Sequence, residues 1–179
     1  MRIIGGDFRG RRLASVGKGD AGAHLRPTSD RVRESLFNIL NGYDMPRDAR
    51  VLDLFAGTGA LGLEALSRGA EAVTFVENGR VSLGLLRENI ALCRAEAAVI
   101  TQDARRLGKG NPHDLVFLDP PYGKALGEAA LSAALEGGWI APGALVVWEE
   151  SAVVVPPAGL RLLDERRYGD TVIRIFIRD

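Results

Sequence analysis
The stretch Val51–Gly69, VLDLFAGTGALGLEALSRG, changes character as it runs. Val51, Leu52, Leu54 and Phe55 form an apolar run of strand formers, and the run breaks at Ala56-Gly57-Thr58-Gly59. Leu61, Leu63, Glu64, Ala65 and Leu66 then fit a helix that Gly69 stops. A buried strand, a glycine turn and a helix are the first unit of a parallel α/β sheet. The glycines let a ligand approach the backbone, and free N–H groups at the helix start favour an anionic or polar group. The stretch therefore predicts a nucleotide-like ligand, whose identity other residues must decide.

Working outward, the same alternation continues. Ala72–Val76 reads as a second buried strand ending in Glu77, and Gly79–Arg94 as a helix with Leu83, Leu86, Ile90 and Cys93 inward. Ala97–Thr101 is a third strand, followed by Gln102-Asp103-Ala104. Asp114–Leu118 is a fourth, ending in Asp119-Pro120-Pro121-Tyr122, with a helix from about Lys124 to Glu136. Ala144–Glu149 is a fifth strand, and Leu160–Arg167 with Thr171–Ile177 read as a closing antiparallel hairpin. This predicts a doubly wound, mostly parallel α/β sheet with its ligand chemistry at the strands' carboxyl ends. The loop after Phe55, Glu77, Asp103 and Asp119 all fall just past strands 1 to 4, so they are expected to converge on one crevice.

Upstream, Met1–Leu13 reads as a short β-hairpin whose arginines Arg2, Arg9, Arg11 and Arg12 surround Phe8. Gly17–Ala23 reads as a loop, and His24 as a loop residue with no partner motif around it. A helix follows, capped by Ser29 or Asp30, with Val32, Leu36, Ile39 and Leu40 on its apolar stripe. Arg31 and Arg33 are expected off that stripe, facing solvent or substrate.

The chain has 179 residues, enough for one domain with a proper core, and its formal net charge is zero. Residues 1–40 nevertheless carry eight Lys and Arg against four Asp and Glu. A basic front on an acidic body suits a polyanionic substrate or simply a solvated hairpin. The start MRIIGGDFRGRRL lacks a signal peptide's apolar core, no run is long enough to cross a membrane, and a cytoplasmic address is expected. Cys93, the single cysteine, is read as a packed small hydrophobe in mid-helix, and no Cys/His cluster suggests a metal.

Gly57-Thr58-Gly59-Ala60-Leu61-Gly62 fits the dinucleotide fingerprint and would serve NAD as well as S-adenosylmethionine. Asp53 argues for the second. A pyrophosphate over the turn would repel a nearby carboxylate, whereas an ammonium and a sulfonium would welcome it. Glu77 can accept from both ribose hydroxyls, and Asp103 from an adenine amine beside the Ala104 N–H.

Asp119-Pro120-Pro121-Tyr122 narrows the chemistry further. The lone pair of a nucleobase's exocyclic amine is delocalised into the ring. A site accepting both N–H bonds, through the Asp119 carboxylate and the Pro120 carbonyl, draws that nitrogen toward tetrahedral geometry. Two prolines stiffen the turn, and Tyr122 offers a face to a base taken out of its stack. The motif does not separate guanine N2 from adenine N6.

DLFAGTG with DPPY resembles class I S-adenosylmethionine-dependent methyltransferases acting on exocyclic amines. IIGGDFRGRRL, RPTSDRVRESLFNIL and the late YGDT resemble the RsmD family of bacterial 16S rRNA guanine-N2 methyltransferases, over essentially the whole chain. The resemblance implies a Rossmann-like methyltransferase domain over residues 26–179 and an RNA-contacting extension over residues 1–25. It implies Asp119, Pro120, Pro121 and Tyr122 as the catalytic turn. S-adenosylmethionine is expected on Asp53, Ala56, Gly57, Thr58, Gly59, Glu77, Asn78, Asp103, Ala104 and Asp119. The RNA candidates are Arg9, Arg11, Arg12, Arg26, Arg31 and Arg33. The implied partner is 16S rRNA in an assembled or assembling small ribosomal subunit; a monomer is expected, with no membrane and no metal.

Overall fold
A computed structural model describes residues 1–16 and 28–179. The expected Gly17–Ala23 loop, His24 and Arg26 lie outside the described residues. In chain order the elements are α1 (Asp30–Asn41), β1 (Arg50–Leu54), α2 (Ala60–Ser67), β2 (Ala72–Glu77), α3 (Arg80–Leu92), β3 (Ala98–Thr101), β4 (His113–Leu118), α4 (Leu126–Glu136), β5 (Ile140–Glu150), β6 (Leu160–Tyr168) and β7 (Thr171–Arg178). A 3₁₀ turn, Ala104–Arg106, follows β3.

The strands form one sheet in the order β3-β2-β1-β4-β5-β7-β6. β1 to β5 run parallel, while β7 is antiparallel to both β5 and β6. The closing hairpin therefore docks through its second strand, leaving β6 at the edge. Order reverses between β1 and β4, which opens a crevice at the carboxyl ends of those strands.

Alternation along each strand divides the core in two. Val51, Val73, Phe75, Leu115, Phe117 and Val147 face α1, α2 and α3, where Leu36, Phe37, Leu63 and Leu86 are buried. Leu52, Leu54, Val116, Leu118 and Trp148 face α4 and its Ala130, Leu131 and Ala134. β1 is buried along all but its first residue, so Asp53 is a carboxylate built into an apolar strand.

Several boundaries differ from the sequence expectation. β5 begins at Ile140 rather than Ala144, because pairing with β4 survives Pro142-Gly143 through a register shift between His113 and Leu115. Cys93 is buried, as a packed hydrophobe would be, but it is the C-cap of α3 and not a mid-helix residue.

The N-terminal segment is a minimal hairpin, with one bridge between Arg2 and Arg12. It is sewn into the domain. Ile3 and Leu13 are buried in the first core. Its backbone N–H groups donate to buried side chains of other elements: Ile4 and Gly5 to Glu64 at 2.9 and 3.0 Å, Phe8 to Ser67 at 2.9 Å, and Ala14 to Asn89 at 2.6 Å. Asn89 also donates to the Thr58 carbonyl at 2.9 Å, so the same residue steadies the glycine turn.

Arg33 corrects an expectation. It is fully buried, facing neither solvent nor an RNA surface. Its Nη2 donates to the Arg2 carbonyl at 2.8 Å and to Asp30, and its Nη1 lies 3.9 Å from Glu64. A helical wheel places position 33 beside 36, 37 and 40, and two carboxylates offset its buried charge: Asp30 one turn earlier on α1, which it bonds, and Glu64 of a separate helix, near its Nη1.

Candidate active site
A cleft of about 1110 Å³ opens at the carboxyl ends of the central strands. Asp53, Ala56, Gly57, Thr58, Glu77, Asn78 and Asp103 line it together with the whole Asp119–Tyr122 turn. Four consecutive strand ends thus deliver their polar residues to one space. Gly59 and Ala104 are absent from its wall: Gly59 is the N-cap of α2, and Ala104 is buried in the second core.

Two of the fingerprint glycines serve packing. Gly59 has φ +81°, and a Cβ there would lie 2.4 Å from Leu86. A Cβ at Gly62 would lie 2.4 Å from the Phe75 ring. Both absences let α2 press against β2 and α3, which holds the turn where it is.

Asp53 points up from β1 into the start of α2 and accepts from the Gly62 N–H at 3.0 Å. It supplies the side-chain acceptor that the helix's own N-cap glycine lacks. Burial pushes its carboxyl up to about 8, opposed by that hydrogen bond and reinforced by Glu77. An apolar strand holding an acid this reluctant to ionise is suited to a cationic ligand.

Glu77 is fixed by three backbone donors: Gly57 N at 2.8 Å on Oε2, with Asn78 N at 2.9 Å and Gly79 N at 2.8 Å on Oε1. A carboxylate offers about four lone-pair positions, so Glu77 has about one left for a ligand hydroxyl. Asp103 is engaged too, accepting Arg105 Nη2 at 2.7 Å and Arg105 N at 2.9 Å. The Arg105 guanidinium holds its carboxyl below the usual carboxylate range. Arg105 itself lines the cleft, and sequence reading passed over it.

Asp119 follows β4 directly and is half-buried. No described residue donates a hydrogen bond to its carboxyl. Burial, then Glu149, Asp53 and Glu150, push its pKa well above the ordinary carboxylate value. Pro120 is buried beneath it.

Tyr122 is anchored by its hydroxyl, which donates to Glu149 Oε1 at 3.1 Å and lies 3.3 Å from Thr171 Oγ1. Burial, more than any other cause, raises the phenol's pKa. Glu149 also accepts from Thr28 Oγ1 at 2.7 Å. Thr28 lines the cleft, whereas Glu149 stands behind it, 6% exposed. Neither residue was singled out from sequence; the only local signal was an acidic stop at the end of the fifth strand.

The candidate RNA arginines divide. Arg9, Arg12 and Arg31 are exposed; Arg11 is half-buried, 5.2 Å over the Phe8 ring, and donates to the Leu92 carbonyl at 3.3 Å.

Comparison with known proteins agrees with this architecture. Residues 1–177 match the family model described as "Conserved hypothetical protein 95". The chain is 40% identical to ribosomal RNA small subunit methyltransferase D of Escherichia coli K12, covering 100% of this chain and 90% of that protein. It is 40% identical to the protein of the same name from Haemophilus influenzae, covering 98% and 93%. Among solved structures, the putative methyltransferase yhhF from Escherichia coli superposes with a TM-score of 0.86 at 41% identity, over 100% of this chain and 98% of that one. With a Rossmann-like sheet, a carboxylate-lined cleft and relatives matched end to end, the chain belongs to this family, that of the ribosomal RNA small subunit methyltransferases D.

Proposed function
We propose that the protein methylates the exocyclic N2 amine of a guanine in 16S rRNA of the small ribosomal subunit, using S-adenosylmethionine. The observation that carries the reading is the Asp119-Pro120-Pro121-Tyr122 turn opening into the same cleft as Asp53 and Glu77. The names of the relatives, which specify small subunit rRNA, support the substrate class.

The residues fit this cofactor better than a dinucleotide. Asp53, Glu77, Asp103 and Asp119 all line the cleft, and two of them are carboxyls held back from ionisation by burial. A pyrophosphate would add negative charge to that wall, whereas a cation relieves it. Asp53 and the turn Ala56–Thr58 would hold the methionine end, Glu77 a ribose hydroxyl, and Asp103 the adenine. When bound, S-adenosylmethionine supplies an electrophilic methyl group on a positively charged sulfur.

The chain's own work is then positioning and charge. The Asp119 carboxylate and the Pro120 carbonyl accept the amine's two N–H bonds and turn its lone pair out of conjugation. The Tyr122 ring, pinned through its hydroxyl to Glu149, gives the extruded base a face to lie on. The proton leaving the amine is taken at the Asp119 carboxylate, which its upward-shifted pKa makes a stronger base than an ordinary carboxylate. Burial pushes the Cys93 thiol up and its cap position keeps it in the core, so the reaction uses no cysteine nucleophile.

Exposed Arg9, Arg12 and Arg31 are proposed to meet rRNA phosphates, with residues 1–25 as the RNA-contacting extension and Arg11 stiffening it. The enzyme is proposed to act as a cytoplasmic monomer on an assembled or assembling subunit. No helix among the described residues is long and apolar enough to cross a membrane.

The test is transfer from labelled S-adenosylmethionine into small subunits from cells lacking the enzyme, followed by nucleoside analysis. N2-methylguanosine is the expected product. N6-methyladenosine would overturn the target while keeping the amine chemistry.

A further inference from the structure
The hydrogens of two hydroxyl groups converge on one buried carboxylate beside the catalytic turn. Leu118 of β4 pairs with Trp148 of β5, so the next residues, Asp119 and Glu149, stand side by side at the ends of adjacent parallel strands. Glu149 receives Tyr122 Oη on one oxygen and Thr28 Oγ1 on the other, at 3.1 and 2.7 Å. The two hydroxyl donors favour the ionised form of Glu149, against the burial that disfavours it.

An ionised carboxylate accepts hydrogen bonds and cannot donate them, and a hydroxyl has one hydrogen. Both hydroxyl hydrogens are therefore committed to Glu149. Tyr122 is also engaged from behind, because Thr171, 3.3 Å away, must then donate to it. Thr28 lines the cleft and gives its one hydroxyl hydrogen to Glu149, so it presents lone pairs to a ligand.

We infer that Thr28, oriented by Glu149, is a specificity-determining residue: it makes the wall beside Asp119 and Pro120 accept hydrogen bonds only, and so selects a base whose ring N–H adjoins its amine. Among the four standard bases only guanine has that pattern, N1–H next to the N2 amine. Adenine and cytosine place a ring lone pair next to theirs, which would face the lone pairs of Thr28. Glu149 acts through Thr28 and Tyr122 and is a positioning residue. The inference rests on the proposed amine methylation and deepens it, since the turn alone does not distinguish guanine from adenine.

The test uses small subunits rebuilt with guanine, adenine or 2-aminopurine at the target position. 2-Aminopurine keeps the 2-amine and replaces the ring N–H by a lone pair. Wild type is expected to favour guanine over 2-aminopurine by at least about a hundredfold in kcat/KM, as a site built for a hydrogen bond rejects an analogue lacking it. Thr28→Val should bring that ratio within about tenfold by losing efficiency on guanine, and Thr28→Ser should restore it. Glu149→Gln, whose amide can donate to Thr28 and free its hydrogen for the cleft, should narrow the ratio by gaining activity on 2-aminopurine. Calorimetric affinity for S-adenosylhomocysteine should stay unchanged in all three. Equal losses of Thr28→Val on both bases, or an unchanged ratio, overturn the inference while guanine methylation by wild type stands. Where Thr28→Val lowers thermal stability, Glu149→Gln decides. Wild type that methylates adenine and not guanine overturns the proposed target and this inference together.

Discussion
Asp53→Asn isolates the cost of burying a carboxyl in β1. The amide keeps an oxygen for the Gly62 N–H and deletes the ionisable group. In the native protein the Asp53 carboxyl is pushed up to about 8 from an ordinary value of 3.8. Between those values the folded protein keeps a proton that the unfolded chain has released. Stability contributed by Asp53 is therefore fully present below about pH 4 and is lost progressively as pH rises toward 8. At about 1.4 kcal/mol per pH unit, levelling off as pH reaches the folded value, the loss between pH 5 and 8 comes to roughly 4 kcal/mol. Denaturant unfolding of wild type and Asp53→Asn across that range, without ligand, reads the effect as a difference. The other raised carboxyls, Asp119 and Glu149, are common to both proteins and largely cancel. The variant should gain roughly 4 kcal/mol on wild type from pH 5 to pH 8. The same protons bear on ligand affinity: a cation that needs Asp53 ionised should bind wild type more tightly, by up to about tenfold per unit, as pH rises toward 8, and the variant weakly at every pH. A stability difference that stays flat with pH, or shrinks as pH rises, would refute the account of Asp53 as a carboxyl kept neutral until a cation arrives.

Asp119→Ala should lower transfer by at least about a thousandfold, while calorimetry shows S-adenosylhomocysteine affinity within a few-fold of wild type; near wild-type turnover would remove Asp119 from the reaction. Tyr122→Phe should cost only a few-fold in kcat because the hydroxyl faces Glu149, whereas Tyr122→Ala, which removes the ring, should cost about a hundredfold or more. Glu64→Ala removes the acceptor of Ile4 N, Gly5 N and Arg68 Nε and takes a buried carboxylate away from the Arg33 guanidinium, which keeps Asp30 and the Arg2 carbonyl, so chemical denaturation should show a loss of roughly 3 to 5 kcal/mol. Arg9, Arg12 and Arg31 changed singly to Ala should each raise KM for subunits and flatten its dependence on log salt by up to about one unit, leaving S-adenosylhomocysteine binding alone; an unchanged salt slope would exclude that arginine from phosphate contact.

The order of strands and helices was legible because each element carries its own local period. Strand β1 announced itself by its apolar run, α3 by Leu83 and Leu86, and the strand-end acids by their place just after each run. Parallel topology then brought those acids together without any knowledge of their contacts. Arg33 shows where such reasoning stops. Its place on α1 and its i−3 partner Asp30 are local, but its nearness to Glu64 in α2 and its bond to the Arg2 carbonyl leave no trace in the spacing of residues around it.

The glycine turn carries the same lesson into the site. Its pattern was read as room for a ligand, yet the missing Cβ atoms of Gly59 and Gly62 make room for Leu86 and Phe75. The turn's precision thus comes from packing, with Asn89 tying Thr58 to the N-terminal segment. Contacts of that kind join residues far apart in sequence, and so does the Thr28–Glu149 bond, which spans 121 positions. Chemistry that depends on which residue type ends a strand can be read from the chain. Chemistry that depends on where a single hydroxyl hydrogen points cannot, because it is set by a carboxylate on another strand, and the discrimination between amines proposed for the Asp119–Tyr122 turn belongs to the second kind.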